Sequence, residues 1–359
     1  MANPSRRSFL AGLVAASTWP LPSWADLGSP AFLSAGRAPS GQDMVAGLDL
    51  QGNALFQQVL PGRGHAFCAH PRLPHVIAFA RRPGRFAHVL DCRTGKTLAQ
   101  LQPPDGYHFY GHGCFSTDGT RLFTTENDYE NARGVIGVWL VQDTYQRIGS
   151  FSSGGIGPHD MARLPDGSFV VANGGIETHP DTGRSKLNLA TMQSNLSYLS
   201  EEGMLQDQIT LSNDFRLNSI RHLDIAPDGT VAFAMQWQGD IGSDLPLAGL
   251  HKSGTPARLL AEDDIRWRDM KGYGGSIAFD HSGTHLAITS PRGNRLVILD
   301  TASGAIQTEH VLSDVCGIAP QAQGWCATSG TGQILTIGTA QATLLKQTQF
   351  QWDNHLVAL

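Results

Sequence analysis

The sequence has 359 residues; 41% are hydrophobic, 16% are charged, and glycine is frequent at 41 copies. Its formal net charge is −5, with 26 basic residues against 31 acidic ones, which argues against nucleic acid as a partner, since that needs a basic face. No apolar run approaches the roughly 20 residues of a membrane-spanning helix, so bilayer insertion is not expected either.

The first 25 residues read as an address and belong to no fold. Ser5-Arg6-Arg7-Ser8-Phe9-Leu10 carries the paired arginines and trailing apolar residues of a twin-arginine export signal, and an apolar run follows from Leu10 to Trp19. Ser23 and Ala25 supply small residues where a signal peptidase reads, so cleavage is expected after Ala25 and the mature chain in the periplasm. Because this route carries folded proteins, it is compatible with a cofactor loaded before export.

From residue 26 onward the chain repeats itself. Gly111-His112-Gly113-Cys114-Phe115-Ser116-Thr117-Asp118-Gly119, Arg221-His222-Leu223-Asp224-Ile225-Ala226-Pro227-Asp228-Gly229 and Gly275 to Gly283 are each a short apolar strand running into a tight turn. Pro158 to Gly167 is the same unit with one extra residue. A second apolar run follows each turn, which makes every copy a hairpin. Further along, Leu48-Asp49, Leu90-Asp91 and Leu299-Asp300 end a third strand and open a fourth. Four short strands in a repeat of roughly 40 to 50 residues predict propeller blades.

The blades fall at 64–102, 108–152, 156–211, 218–260, 273–312 and 314–350. Residues 31–60 lack a first strand, and residues 352–359 read as a first strand with nothing after it. Joined, they make a seventh blade that closes the ring. The prediction is an all-β protein, one domain over residues 26–359, folded as a seven-bladed β-propeller and acting as a monomer. The third complete blade carries an inserted loop over residues 174–195, rich in hydrogen-bonding groups and expected to fold over one face.

Five cysteines are present, an odd number for an oxidising compartment. Cys316 and Cys326 flank a hairpin turn and could bridge, or could remain buried thiols.

The first strand of each blade lines the channel of a propeller. Histidine stands near its start in five blades: His65, His112, His159, His222 and His355; the other two have Gly275-Ser276 and Cys316. Imidazoles gathered on one axis could ligate a transition metal, with iron or copper the expectation. Alternatively, pairs such as Gly64-His65 and Gly111-His112 are structural, each ring bonded within its own blade. Glu126, Asn173, His179, Arg221 and Gln236 are candidate ligand-binding residues around the same mouth. Arg221 needs a partner such as Glu126 or Asp224, or an anionic ligand. Arg81, Arg82 and Arg85 read as a solvated loop. No hydrolase elbow, H-E-x-x-H or phosphate loop is present.

Gly157-Pro158-His159, Asn173-Gly174-Gly175-Ile176, Thr178-His179-Pro180, Arg184 with Lys186-Leu187-Asn188, and Ser219-Ile220-Arg221-His222-Leu223 together resemble an uncharacterised family of twin-arginine-exported bacterial propellers. Glu126-Asn127-Asp128 and Gly134-Val135-Ile136-Gly137 are similar to that family too. The resemblance spans nearly the whole mature chain. It implies a genomic setting beside imelysin-type periplasmic proteins and a di-haem oxidase-like protein, in clusters for iron acquisition, and it supplies no reaction. The expectation is a non-enzymatic accessory to metal uptake that holds a metal, a metal chelate or a partner at the channel mouth. A metal-assisted lyase, lactonase or redox enzyme and a pure interaction scaffold are the alternatives.

Overall fold

The computed structural model describes residues 30–359 except Asp143 and Arg184, so the export signal and its cleavage site lie outside the described residues. Seven four-stranded antiparallel sheets form the ring of a β-propeller. The innermost strands are Gly64–Ala69, Tyr107–Phe115, Pro158–Arg163, Asn218–Ile225, Ser276–Phe279, Val315–Pro320 and Gln351–Ala358. The blades are numbered one to seven in that order, and each strand end falls within a few residues of the sequence boundary.

In blade seven Gln351–Ala358 pairs with Phe32–Arg37, which continues to Asp43–Leu48 and Ala54–Val59. The two ends of the chain are thus zipped in one sheet, with Phe32 opposite Ala358 and Arg37 opposite Gln351. Ser34 Oγ donates to His355 O at 2.9 Å across this seam. Closure leaves the inner edge of each blade short and turned toward the channel, protected from pairing with another chain.

Burial explains the composition of successive strands. Second strands such as His75–Ala80 and Phe169–Asn173 are sandwiched between neighbouring sheets and read as continuous apolar runs. Outer strands such as Ala54–Val59 and Leu205–Thr210 face water on one side and alternate. The core consequently lies between blades: Phe123 and Ile136 of blade two pack with Met161, Phe169 and Val171 of blade three. Trp325 ties blade six to blade five, its indole N–H shared between Ala278 O and Phe279 O at 3.1 and 3.0 Å.

All five cysteines are free, so of the two alternatives for Cys316 and Cys326 the structure has the buried thiols. The hairpin register sets Cys326 opposite Ala319, three residues past Cys316, so the two thiols do not face each other. Burial pushes the Cys326 thiol up to about 12.

The insertion in blade three runs between Asn173 and Asn195 and is stitched down. Asn188 holds both strands of the loop, accepting from Glu177 N at 2.8 Å and donating to Gly175 O at 2.9 Å. Ser194 Oγ donates to Asn218 O at 2.6 Å, which anchors the loop to blade four.

Candidate metal centre in the axial channel

An unbroken strand would send adjacent residues to opposite faces, so Arg221 and His222 should not both reach the axis. They do, because the inner strand of blade four is bulged. Ile220 pairs with Met235 and His222 with Ala234, which leaves Arg221 as an extra residue. The same register break occurs at His159, between Pro158 and Asp160, and around His65, His112 and His355. Blade five pairs regularly through Ser276 and Ile277, and it is a blade without a histidine at this level. Bulges re-aim side chains, and here they turn five imidazoles onto one point.

The ring of His65 lies 4.5 Å from that of His355, 5.0 Å from His112 and 5.6 Å from His159, measured between centres. His222 lies 4.7 Å from both His159 and His355. Two triads, His65 with His112 and His355, and His112 with His159 and His222, each offer one nitrogen per ring with all three nitrogens within 4.8 Å. His112 belongs to both.

All five rings are buried. His65 Nδ1, His112 Nε2, His159 Nδ1, His355 Nε2 and both nitrogens of His222 have no hydrogen-bond partner. Each such atom costs roughly 1–3 kcal/mol unless something meets it. Burial, reinforced by the neighbouring imidazoles, holds His65 and His355 well below the usual range, and pushes His222 down to about 3. Burial and then the Arg221 guanidinium do the same to His159. These rings are therefore neutral, with lone pairs available, which is the state a metal requires.

His112 has its outer nitrogen occupied. Its Nδ1 lies 2.8 Å from Asp160 Oδ1. Burial alone would raise Asp160, yet the facing His112 and the N–H of Leu223 bring it below the ordinary carboxylate range. A carboxylate behind an imidazole fixes the tautomer and points the other nitrogen at a metal. The donor set fits a transition ion, and His112, whose Nε2 has no partner, is the ring common to both triads.

The imidazole layer divides the channel. On one side lies a cavity of about 310 Å³ reached by His112, His222 and His355, with Asp160 and Asp224 in its wall. On the other is a vestibule of about 240 Å³ lined by His65, His159 and His222 and by Arg81, Arg82, Lys186, Arg221, Arg292, Gln236 and Tyr273. A wider groove of about 500 Å³, on the rim beside Asp228 and Lys252, touches none of the five histidines.

The remaining sequence candidates divide. Arg221 and Gln236 line the vestibule, Gln236 Nε2 donating to Gly274 O at 3.2 Å. Glu126 does not reach it. It lies over its own sheet, where Gly137 leaves room, pairing with Arg147 at 2.8 Å and accepting from Thr124 Oγ1 at 2.9 Å. Arg221 therefore meets neither Glu126 nor Asp224, whose carboxylate accepts from the backbone of Phe279 and Ile225. Asn173 is fully buried and structural: its amide binds Ser153 O and Asn195 Oδ1, both at 2.9 Å. His179 stands in the inserted loop, capping the turn at Pro180–Thr182 and bordering a separate small cavity.

Arg81 and Arg82 are a further correction, since both face the vestibule and not open solvent. Arg81 shares Asp353 with Arg63. The unanticipated members are Arg82, Lys186, Arg292 and the positioning carboxylate of Asp160. A signal existed: Arg81 and Arg82, Gln236, and Arg292 all stand at or just past the ends of second strands, the same level of the repeat in blades one, four and five.

A profile described as a protein of unknown function (DUF1513) matches residues 58–359. Among solved structures, hydrazine synthase of Kuenenia stuttgartiensis is similar in fold, with a TM-score of 0.60 at 14% identity over 89% of this chain and 96% of that one. The β-propeller domain of Myceliophteria thermophila Cps50 (Swd1) gives 0.59 at 10% identity, covering 89% and 94% of the two chains. A functionally unknown protein from Desulfotomaculum acetoxidans also gives 0.59, at 9% identity over 91% and 98%. At these identities the likeness is one of fold alone. A search of curated proteins finds no match to the sequence.

Proposed function

We propose that this chain, which belongs to the DUF1513 family of proteins of unknown function, is a metal-binding propeller whose five axial histidines hold one transition ion. The observation that carries the reading is the set of buried, unpartnered imidazole nitrogens in two triads that share His112. The nearest donors are all imidazole, and such a site binds divalent ions in an order that peaks at copper, with iron below it. Asp160 contributes by orienting His112 and does not need to touch the ion.

On this reading the protein is an exported accessory to iron or related metal acquisition, with imelysin-type or di-haem oxidase-like proteins as partners. The paired Arg6 and Arg7 and the motifs shared with the exported propellers support that setting. Metal analysis of protein produced in medium replete in copper, iron, zinc and manganese tests the central point. About one equivalent of one metal is expected, falling sharply in a His159→Ala/His222→Ala pair. Substoichiometric metal in the unaltered protein, or a content that the pair does not change, contradicts it.

A further inference from the structure

Among the described residues, the lining of the vestibule above the histidines carries an excess of positive charge. Arg82, Lys186, Arg221 and Arg292 converge on it from blades one, three, four and five, and no carboxylate is among its lining residues. Arg81 also lines it, but that cation is paired with Asp353.

Arg221 is the residue that turns this patch into a site. It is only 6% exposed, its Nε has no partner, and among the described residues no hydrogen bond or ion pair reaches its guanidinium. A buried arginine without a counterion is costly. Bulging of the inner strand puts it there. A Cβ on Gly174 would stand 2.8 Å from Ser219 Oγ, so glycine at that position lets the inserted loop pack against the inner strand beside Arg221. Arg292 is held in place too: it stacks 4.4 Å from the centre of the Tyr273 ring, and Asn354 donates to Tyr273 Oη at 3.1 Å. Trp237, in the same wall, has an indole N–H without a partner.

We infer that the vestibule is a binding site for a small, multiply charged oxyanion, carboxylate or phosphate, with Arg221 at its base. Several converging guanidinium groups favour ligands with two or more negative charges and planar or tetrahedral oxygens. At about 240 Å³ the space suits a di- or tricarboxylate or inorganic phosphate. The site does not require the metal, although the two adjoin through His65, His159 and His222.

Calorimetric titration of the full chain, metal-free and metal-loaded, with citrate and with inorganic phosphate at fixed chloride tests this. Saturable binding of one or both anions to the metal-free protein is expected, and the tighter one assigns the ligand as carboxylate or phosphate. Arg221→Gln should weaken binding by about tenfold or more, as does the loss of one charge-assisted contact, with metal content unchanged. Arg292→Gln and Lys186→Gln, which leave the buried Arg221 in place, should each weaken it as well, whereas the rim variant Arg258→Gln should not. Anion binding by a protein that takes up no metal would sustain this inference while removing the metal reading. Absence of binding by either anion to either form overturns it, and so does unaltered affinity in the folded Arg221, Arg292 and Lys186 variants.

Discussion

His112 Nδ1 and Asp160 Oδ1 lie 2.8 Å apart although they belong to different blades. The same carboxylate accepts from Met161 N at 2.8 Å and from Leu223 N at 3.0 Å, so it joins blades two, three and four immediately behind the imidazole layer. It leaves His112 Nε2 as the unpartnered nitrogen of the one ring that belongs to both triads.

Asp160→Asn should therefore lower metal affinity about 10–100-fold without removing a ligand, the usual effect of losing a carboxylate behind a metal-bound imidazole. His112→Ala should lose more metal than His65→Ala or His159→Ala, since it breaks both triads. Competition with a chelator of known affinity measures both; an Asp160→Asn protein that binds as tightly as the original contradicts the role.

Acid should destabilise the metal-free protein. Burial holds His222 near 3, whereas an unfolded histidine titrates near 6.5. Between those values the unfolded chain binds more protons, so stability is full above 6.5 and is lost as pH falls toward 3. One such group costs about 2 kcal/mol by pH 5. Urea midpoints at pH 7.5 and pH 5 should differ clearly, and less so in His222→Gln; equal midpoints would show that the ring is not held neutral.

The Glu126–Arg147 pair should matter to the fold and not to the site. Glu126 is fully buried and Arg147 largely so, and burial keeps the Glu126 carboxyl above its ordinary value despite the partner. Arg147→Met strands that carboxylate, at a cost of about 3–5 kcal/mol. Thermal denaturation should register the loss while the folded fraction keeps its metal; a metal content that falls with Arg147 would return Glu126 to the site.

Gly175 has φ of +71°, and a Cβ there would stand 2.5 Å from the carbonyl group of Gln193. Gly175→Ala should lower stability by about 1–3 kcal/mol and make the insertion a preferred site of limited proteolysis. An unchanged melting temperature and cleavage pattern would mean the loop is not fixed at that turn.

The sequence reveals the propeller because its punctuation is local: Asp118-Gly119 and Asp228-Gly229 mark hairpins, and residues 31–60 want the first strand that 352–359 supply. Histidines at matching places in the repeat are equally visible. What is hidden is long-range. No local pattern announces that Arg221 is a bulged residue, and alternation alone would turn either it or His222 away. Glu126 looked axial because it ends a second strand, but side chains there point between sheets, where Arg147 from the outer strand is within reach. The repeat sets Arg82 and Arg292 at one level, but it is ring closure that brings their charges, with that of Lys186 from the insertion, to one space.

A crystal structure of metal-loaded protein, with anomalous scattering collected at the edge of the metal found by analysis, tests the central claim most directly. The account predicts one anomalous peak among the five rings, about 2.0–2.1 Å from nitrogens of at least three of them, His112 Nε2 included. A structure in which the bound metal lies elsewhere, with His65, His112, His159, His222 and His355 bonded to water or backbone instead, would contradict it.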